Sequence, residues 1–175
     1  DIQAHYSRLE SLGLNYGPIF RGLEALQKGD GIAVGLAVLP DAEEDMANYR
    51  FHPALVDNLF HAVSAIVPDD GDDQLYLPIG IDRIRWERTA PRRVVVTARL
   101  RKESSNKVEL VADLAMETET GEPIAQFEGL RARAVSAASL SKMLGASKMS
   151  LHELELSWEN VPRPEASIPK DLLIV

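Results

Sequence analysis

The sequence predicts an α+β fold in which a curved antiparallel sheet wraps around one long buried helix. Three observations support this prediction. The run 53–67 is almost entirely apolar or helix-forming, and the segments that follow it alternate between apolar and polar residues, as in an antiparallel meander. A glycine-containing hairpin signal at 28–31 precedes it. The chain therefore reads as a hairpin, a central helix and a meander.

Short elements come before the central helix. Residues 2–12 have the spacing of an amphipathic helix that ends near Gly13. Residues 23–27 and 32–38 predict the two strands of the hairpin, and residues 40–47 predict an acidic turn or short helix.

The central helix carries an acid where burial makes an acid costly. Its apolar residues lie on all sides, which predicts burial on most sides. Asp57 and His61 are four residues apart and therefore share one face. A buried carboxylate is unfavourable unless it is paired, hydrogen-bonded or protonated. Two interpretations remain open from these residues: a structural pair at a solvated edge of the helix, or a general acid that burial keeps protonated. His52 is interpreted as the helix cap.

The meander is predicted from four segments. Residues 77–88 predict one long strand with a bulge near Arg83, and Trp86 is assigned to the core or to linker docking. Residues 94–101, 108–116 and 124–135 predict three further strands, of which the second keeps a strict period of two.

Composition excludes several classes of function. The formal net charge of −8 argues against a general nucleic-acid binder. No apolar run approaches the roughly 18 residues of a membrane span. The sequence contains no cysteine, which excludes disulfides, thiolate chemistry and cysteine-ligated metals. Because cysteine-free chains fit a reducing compartment, we expect a cytoplasmic protein.

Three segments, in this order, resemble the dehydratase domains of modular polyketide synthases. Residues 16–23 (YGPIFRGL) are similar to the family's YGPxFRGL signature, and residues 52–61 (HPALVDNLFH) to its HPALLD segment with the D-x-x-x-Q/H motif. Residues 77–80 (LPIG) resemble the LPxxx segment that follows. The likeness covers roughly residues 3–135.

The resemblance implies a double hot-dog fold, of which this chain supplies the second half. Residues 1–135 are then the C-terminal hot-dog half, and residues 136–175 are the linker after the dehydratase together with the start of the following ketoreductase structural region. The apolar run at the end of the sequence predicts a strand that is cut from a longer polypeptide.

The resemblance also implies a reaction. Asp57 would protonate the departing hydroxyl of a β-hydroxyacyl thioester carried on the phosphopantetheine of an acyl carrier protein, and His61 would orient Asp57 or the substrate. The family's base is a histidine in an HxxxGxxxxP motif, which this sequence does not contain, so we expect the base from a separate N-terminal half. No directly bound cofactor is expected, and the Asp/His pair lacks the third ligand that zinc normally requires. The expected substrate-binding residues are Tyr16, Gly17, Pro18, Phe20, Leu77 and Pro78, although a structural turn explains Tyr16 equally well.

The expected partners are the acyl carrier protein, the N-terminal hot-dog half and a second copy of this chain, since an isolated half would expose apolar surface. No membrane partner is expected. A group of arginines could receive the acidic carrier protein, but we prefer to interpret it as a solvated sheet face. Its members are Arg83, Arg85, Arg88, Arg92 and Arg93. The alternatives to a dehydratase are a double-bond isomerase, a cyclase and a non-catalytic scaffold.

Overall fold

The structure, a computed structural model, describes residues 1–39, 49–67, 74–136, 139–140 and 142. Within these residues two α-helices and seven strands form the fold. The helices are α1 (Ile2–Ser11) and the central helix α2 (Pro53–Ile66). The strands are β1 (Leu23–Gly29), β2 (Ile32–Val38), β3 (Gln74–Gly80), β4 (Arg83–Trp86), β5 (Arg93–Leu100), β6 (Glu109–Glu117) and β7 (Pro123–Ser136).

The described strands form one sheet in the order β1-β2-β5-β6-β7-β3, and β4 also pairs with β7. All strand pairs are antiparallel. Helix α2 packs across β1, β2, β5 and β6, and most of its apolar residues belong to the core. Strand β2 turns its small residues Ala33 and Ala37 inward, both fully buried. The α+β hot-dog fold, a long helix wrapped by an antiparallel sheet, is confirmed.

The ends of both helices follow from their sequences. His52 caps α2 as predicted: its Nδ1 accepts a hydrogen bond from the Ala54 N–H at 3.1 Å. Pro53 occupies the first turn, where no backbone donor is needed. Helix α1 is capped by Asp1, and Gly13, at φ 95°, follows its C-terminus, as predicted.

The predicted long strand 77–88 is wrong in detail, because β3 and β4 are separate strands. The cause lies on β7, where Gly129 has a positive φ of 65° and bends the strand. Its N–H is bound by Asp113 Oδ1 at 2.9 Å, so the break in pairing is held by a side chain. The bulge expected near Arg83 is therefore an interruption between β3 and β4.

This edge of the sheet exposes apolar side chains. Ile79, Ile84 and Trp86 are 52%, 40% and 51% exposed, so the assignment of Trp86 to the core is wrong. The ring of Trp86 contacts Phe51 edge-on, with 6.4 Å between centroids.

Several predictions lie outside the described residues: the acidic turn at 40–47 and nearly all of the tail 136–175. In the part of the chain that is described, no helix is long and apolar enough to cross a membrane.

Candidate active site

Helix α2 brings Asp57 and His61 together as their spacing predicts. Asp57 Oδ2 lies 3.0 Å from His61 Nε2. The imidazole is almost fully enclosed, with 2% of its side chain exposed. Despite the short distance, Nε2 makes no hydrogen bond as a donor within the described residues, because the ring N–H axis does not point at the carboxylate. The carboxyl group and the imidazole are therefore close to each other but do not form an aligned hydrogen bond.

A buried polar network holds the other side of His61. Its Nδ1 lies 3.4 Å from the hydroxyl of Tyr6, which comes from α1. The same hydroxyl lies 3.4 Å from Asn58 Oδ1 and accepts the Leu23 N–H at 3.1 Å. Asn58 is fully buried; its Oδ1 accepts the Gly22 N–H at 3.1 Å, and its Nδ2 donates to Ala54 O at 2.7 Å. These bonds fix the imidazole against two backbone segments.

The Asp57–His61 pair lies at a small, mostly apolar pocket of about 100 Å³. Its walls come from α1, α2, β3 and β7. Of the predicted substrate-binding residues, Tyr16, Leu77 and Pro78 line this pocket. Gly17, Pro18 and Phe20 do not line it. Pro18 and Phe20 belong to a short 3-10 turn that follows Gly17, and Phe20 is 38% exposed.

The ring of Tyr16 packs against the imidazole of His61. Its ring lies 4.2 Å from the His61 ring, centroid to centroid. Burial, together with the negative charge of Asp57, raises the pKa of Tyr16 to about 12. The phenol is therefore neutral at physiological pH and can donate a hydrogen bond into the pocket.

Helix α2 does not by itself hold the Asp57 carboxyl group out of water, as the interpretation of Asp57 as a buried general acid requires. Its side chain is 34% exposed, whereas that of His61 is 2% exposed. The helix buries the neighbours of Asp57 on the sheet side, but Asp57 sits at the rim, where no described residue covers it completely. An enclosed acid would need a further surface.

Two residues of the site were missed from the sequence. Tyr6 falls within the predicted helix 2–12 without being singled out, and Asn58 is not considered. A signal for Asn58 exists, since it is a second polar residue inside an otherwise apolar helix, and buried amides are retained where their hydrogen bonds are satisfied. No comparable signal marks the hydroxyl of Tyr6.

The arginine group is paired with acids. Arg83 and Arg85 both contact Glu128, at 3.4 and 3.2 Å. Arg88 contacts Glu122 at 3.0 Å.

The other two arginines are also engaged. Arg93 bridges Glu24 and Glu119 at 3.2 and 3.3 Å, and Arg92 donates to Leu39 O at 3.1 Å. These pairs support the solvated sheet face over a docking strip for an acidic partner. The acidic stretch 41–45 lies outside the described residues.

Metal binding finds no support in the described residues, which contain no group of three or more His, Asp or Glu side chains suited to hold an ion. The arrangement at Asp57 places a carboxyl group and an imidazole, both of which are groups that can transfer protons, beside a mostly apolar pocket.

Comparisons with known proteins identify several relatives of this chain. Residues 1–142 match the family described as "Polyketide synthase dehydratase N-terminal domain". The dehydratase domain from the CurK module of curacin polyketide synthase is 33% identical, with a TM-score of 0.68, over 80% of this chain and 49% of that one. The dehydratase domain from the CurF module is 31% identical, with a TM-score of 0.70, over 78% of this chain and 47% of that one.

Curated relatives are much longer. Highly-reducing polyketide synthase 1 of Aureobasidium melanogenum is 26% identical over 97% of this chain, which covers 8% of that protein. Polyketide synthase GfsA of Streptomyces halstedii is 30% identical over 94% of this chain, which covers 2% of that protein. The chain thus spans about half of the solved domains and a small part of the synthases.

Proposed function

This chain belongs to the polyketide synthase dehydratase family, and from that premise we propose that it forms one half of a dehydratase active site. The reaction is the elimination of water from a β-hydroxyacyl thioester on an acyl carrier protein, which gives an α,β-enoyl thioester. Asp57 gives a proton to the departing hydroxyl, and His61 orients Asp57. A histidine from a separate hot-dog half removes the α-proton. The carrier's phosphopantetheine presents the substrate, and no cofactor takes part directly.

The single observation that carries this proposal is the Asp57–His61 pair at the pocket. Elimination needs an acid at the hydroxyl and a base at the α-carbon, held in fixed geometry. Asp57 Oδ2 and His61 Nε2 are 3.0 Å apart, and Tyr16 and Leu77 line the same pocket. This distance and the shared pocket support the proposal that His61 directs the carboxyl group towards a bound thioester.

The residues favour the second half of the double fold, although the matching family carries the words "N-terminal domain". The chain contains Asp57-x-x-x-His61, which supplies the acid, and contains no HxxxGxxxxP, which would supply the base. Its span of 49% and 47% of the two solved dehydratase domains is what one of two hot-dog units would cover.

A docked first half would also enclose the acid. Strand β3 ends the sheet, with one side unpaired in the described part of the chain, and it supplies Leu77 and Pro78 to the pocket. Exposed Ile79, Ile84 and Trp86 extend the same edge. A hot-dog half laid along this edge would cover these apolar side chains and the exposed third of Asp57, which would desolvate the carboxyl group. In its absence a second copy of this chain is the expected occupant.

A dehydration assay on a β-hydroxyacyl-pantetheine thioester tests the proposal. It compares this chain alone, the chain joined to its upstream neighbour, and the joined form with Asp57→Asn. We expect slow or no turnover by the chain alone, an enoyl product from the joined form, and a loss of roughly 10²–10⁴-fold on substitution. Asp30→Asn is the matched control. Asp30 is exposed in the turn between β1 and β2, where it pairs with Lys102, and it does not line the pocket of Asp57.

A non-catalytic scaffold is the second candidate, and the 34% exposure of Asp57 favours it. A joined form with an intact HxxxGxxxxP half that leaves the thioester unchanged would establish the scaffold. A product with a moved double bond or a ring would instead establish an isomerase or a cyclase on the same residues.

A further inference from the structure

We propose that Tyr6 and Asn58 are positioning residues that hold His61 as its Nδ1–H tautomer. In that form the Nε2 of His61 carries no hydrogen and lies 3.0 Å from Asp57 Oδ2. The proposal rests on the proposed function, in which Asp57 is the acid, and it adds the residues that set the protonation pattern around it.

Counting protons identifies the tautomer. The Tyr6 hydroxyl has one proton, and Asn58 Oδ1, 3.4 Å away, can only accept it. The Leu23 N–H donates to the same hydroxyl at 3.1 Å, which uses one acceptor position. The contact between Tyr6 and His61 Nδ1 at 3.4 Å is then a hydrogen bond only if Nδ1 carries the hydrogen. Of the two neutral forms of the ring, only the Nδ1–H tautomer makes all three contacts together.

The orientation of Asn58 is fixed independently. Its Nδ2 donates to Ala54 O at 2.7 Å, so its Oδ1 must face Gly22 and Tyr6. A Cβ on Gly22 would lie 2.5 Å from Asn58 Nδ2, so only glycine allows this approach of chain and amide. Asn58 therefore cannot flip to offer a donor to Tyr6.

The surroundings of Nε2, the other ring nitrogen of His61, also support this tautomer. Nε2 is buried and makes no hydrogen bond as a donor, although Asp57 Oδ2 lies 3.0 Å away. A ring N–H needs near-linear alignment with its acceptor. In the Nδ1–H tautomer Nε2 carries no hydrogen, so no buried N–H is left without an acceptor there.

Nitrogen-15 NMR of the imidazole in the full chain tests the tautomer directly, with or without catalysis. We expect the Nδ1–H pattern for His61 in the unsubstituted protein and in Asp57→Asn, since Tyr6 and Asn58 set it. Asn58→Leu removes the acceptor of the Tyr6 proton, which then turns to Nδ1, so this variant should show the Nε2–H pattern. Tyr49→Phe, which removes a hydroxyl from an exposed tyrosine beside His52, should leave the pattern unchanged.

Kinetics of the joined protein separate positioning from folding. Tyr6→Phe keeps the ring and removes the hydroxyl, and we expect kcat to fall about tenfold with KM little changed, as for one lost hydrogen bond to the acting group. A KM effect with unchanged kcat would mean that Tyr6 shapes the pocket only.

An Nε2–H pattern or a charged ring in the unsubstituted protein would overturn the proposal. If Asn58→Leu does not fold, the NMR pattern of the unsubstituted protein and of Asp57→Asn still decides it. An unsubstituted joined protein that lacks dehydration activity would refute the proposed function, while the Nδ1–H pattern would remain a separate result.

Discussion

Asp57 and Asn58 are neighbours on one helix and occupy opposite environments. Asn58 is fully buried and takes part in three hydrogen bonds, with Gly22, Tyr6 and Ala54. Asp57 is 34% exposed and lies 3.0 Å from His61 Nε2, without an aligned hydrogen bond between them. The buried amide of Asn58 stabilises the fold through these bonds, whereas the carboxyl group of Asp57 at the rim makes no aligned hydrogen bond with His61. A group that contributes little to stability and faces a pocket is free to act on a ligand.

The largest expected effect is on stability when Asn58 is truncated. Asn58→Ala leaves the buried Gly22 N–H without its acceptor and removes the side-chain bond to Ala54 O, which should cost about 2–3 kcal/mol of unfolding free energy. The matched substitution Asp57→Ala should change it by less than ~1 kcal/mol. Urea unfolding of the two variants measures both values. Equal losses would show that Asp57 is structural, which would reverse the contrast between these neighbours.

His5 extends the contrast to pH. It lies against Ser64 of α2, with Nε2 3.4 Å from the hydroxyl, and burial lowers the pKa of His5 to about 4 from 6.5. Between these values the unfolded chain binds a proton that the folded chain does not, so stability is lost as the pH falls through this window.

His5→Gln should reduce that loss by about 1–2 kcal/mol, after allowance for the part of the ring that water screens. Denaturant unfolding at about pH 7 and pH 4 measures the difference. A variant with the same acid sensitivity as the unsubstituted chain would mean that His5 stays solvated.

The smallest expected effect concerns the helix start. His52 Nδ1 accepts the Ala54 N–H at 3.1 Å. His52→Ala should therefore cost about 1 kcal/mol, the usual value of an N-cap, while His52→Asn should restore most of it. Thermal unfolding of both variants decides whether the cap or the ring's contact with Tyr49 matters, since asparagine restores only the first.

Local signals in the sequence were sufficient for most of the fold. Proline and histidine at the start of α2, and alternation in β6, specify their elements through short-range chemistry. The break between β3 and β4 was not foreseen, because it depends on Gly129 in a strand more than forty residues away. Exposure of Trp86 was mispredicted for a related reason, since alternation shows which residues share a face but not which face a helix covers.

The site divides in the same way. The pairing of Asp57 and His61 follows from helical spacing, and the structure brings them within 3.0 Å. The contacts of His61 with Tyr6, and of Asn58 with Gly22, join segments 36 to 55 residues apart. Such contacts depend on how α1 and the first strand pack on α2, which no local pattern encodes. The degree of exposure of Asp57 likewise depends on what lies beyond the rim.

Whether Asp57 supplies the proton is decided by the single-turnover dehydration rate of the joined protein with Asp57→Asn. We expect a rate lower by roughly 10²–10⁴-fold while the unfolding free energy changes by less than ~1 kcal/mol. An undiminished rate in the folded variant would exclude Asp57 as the acid.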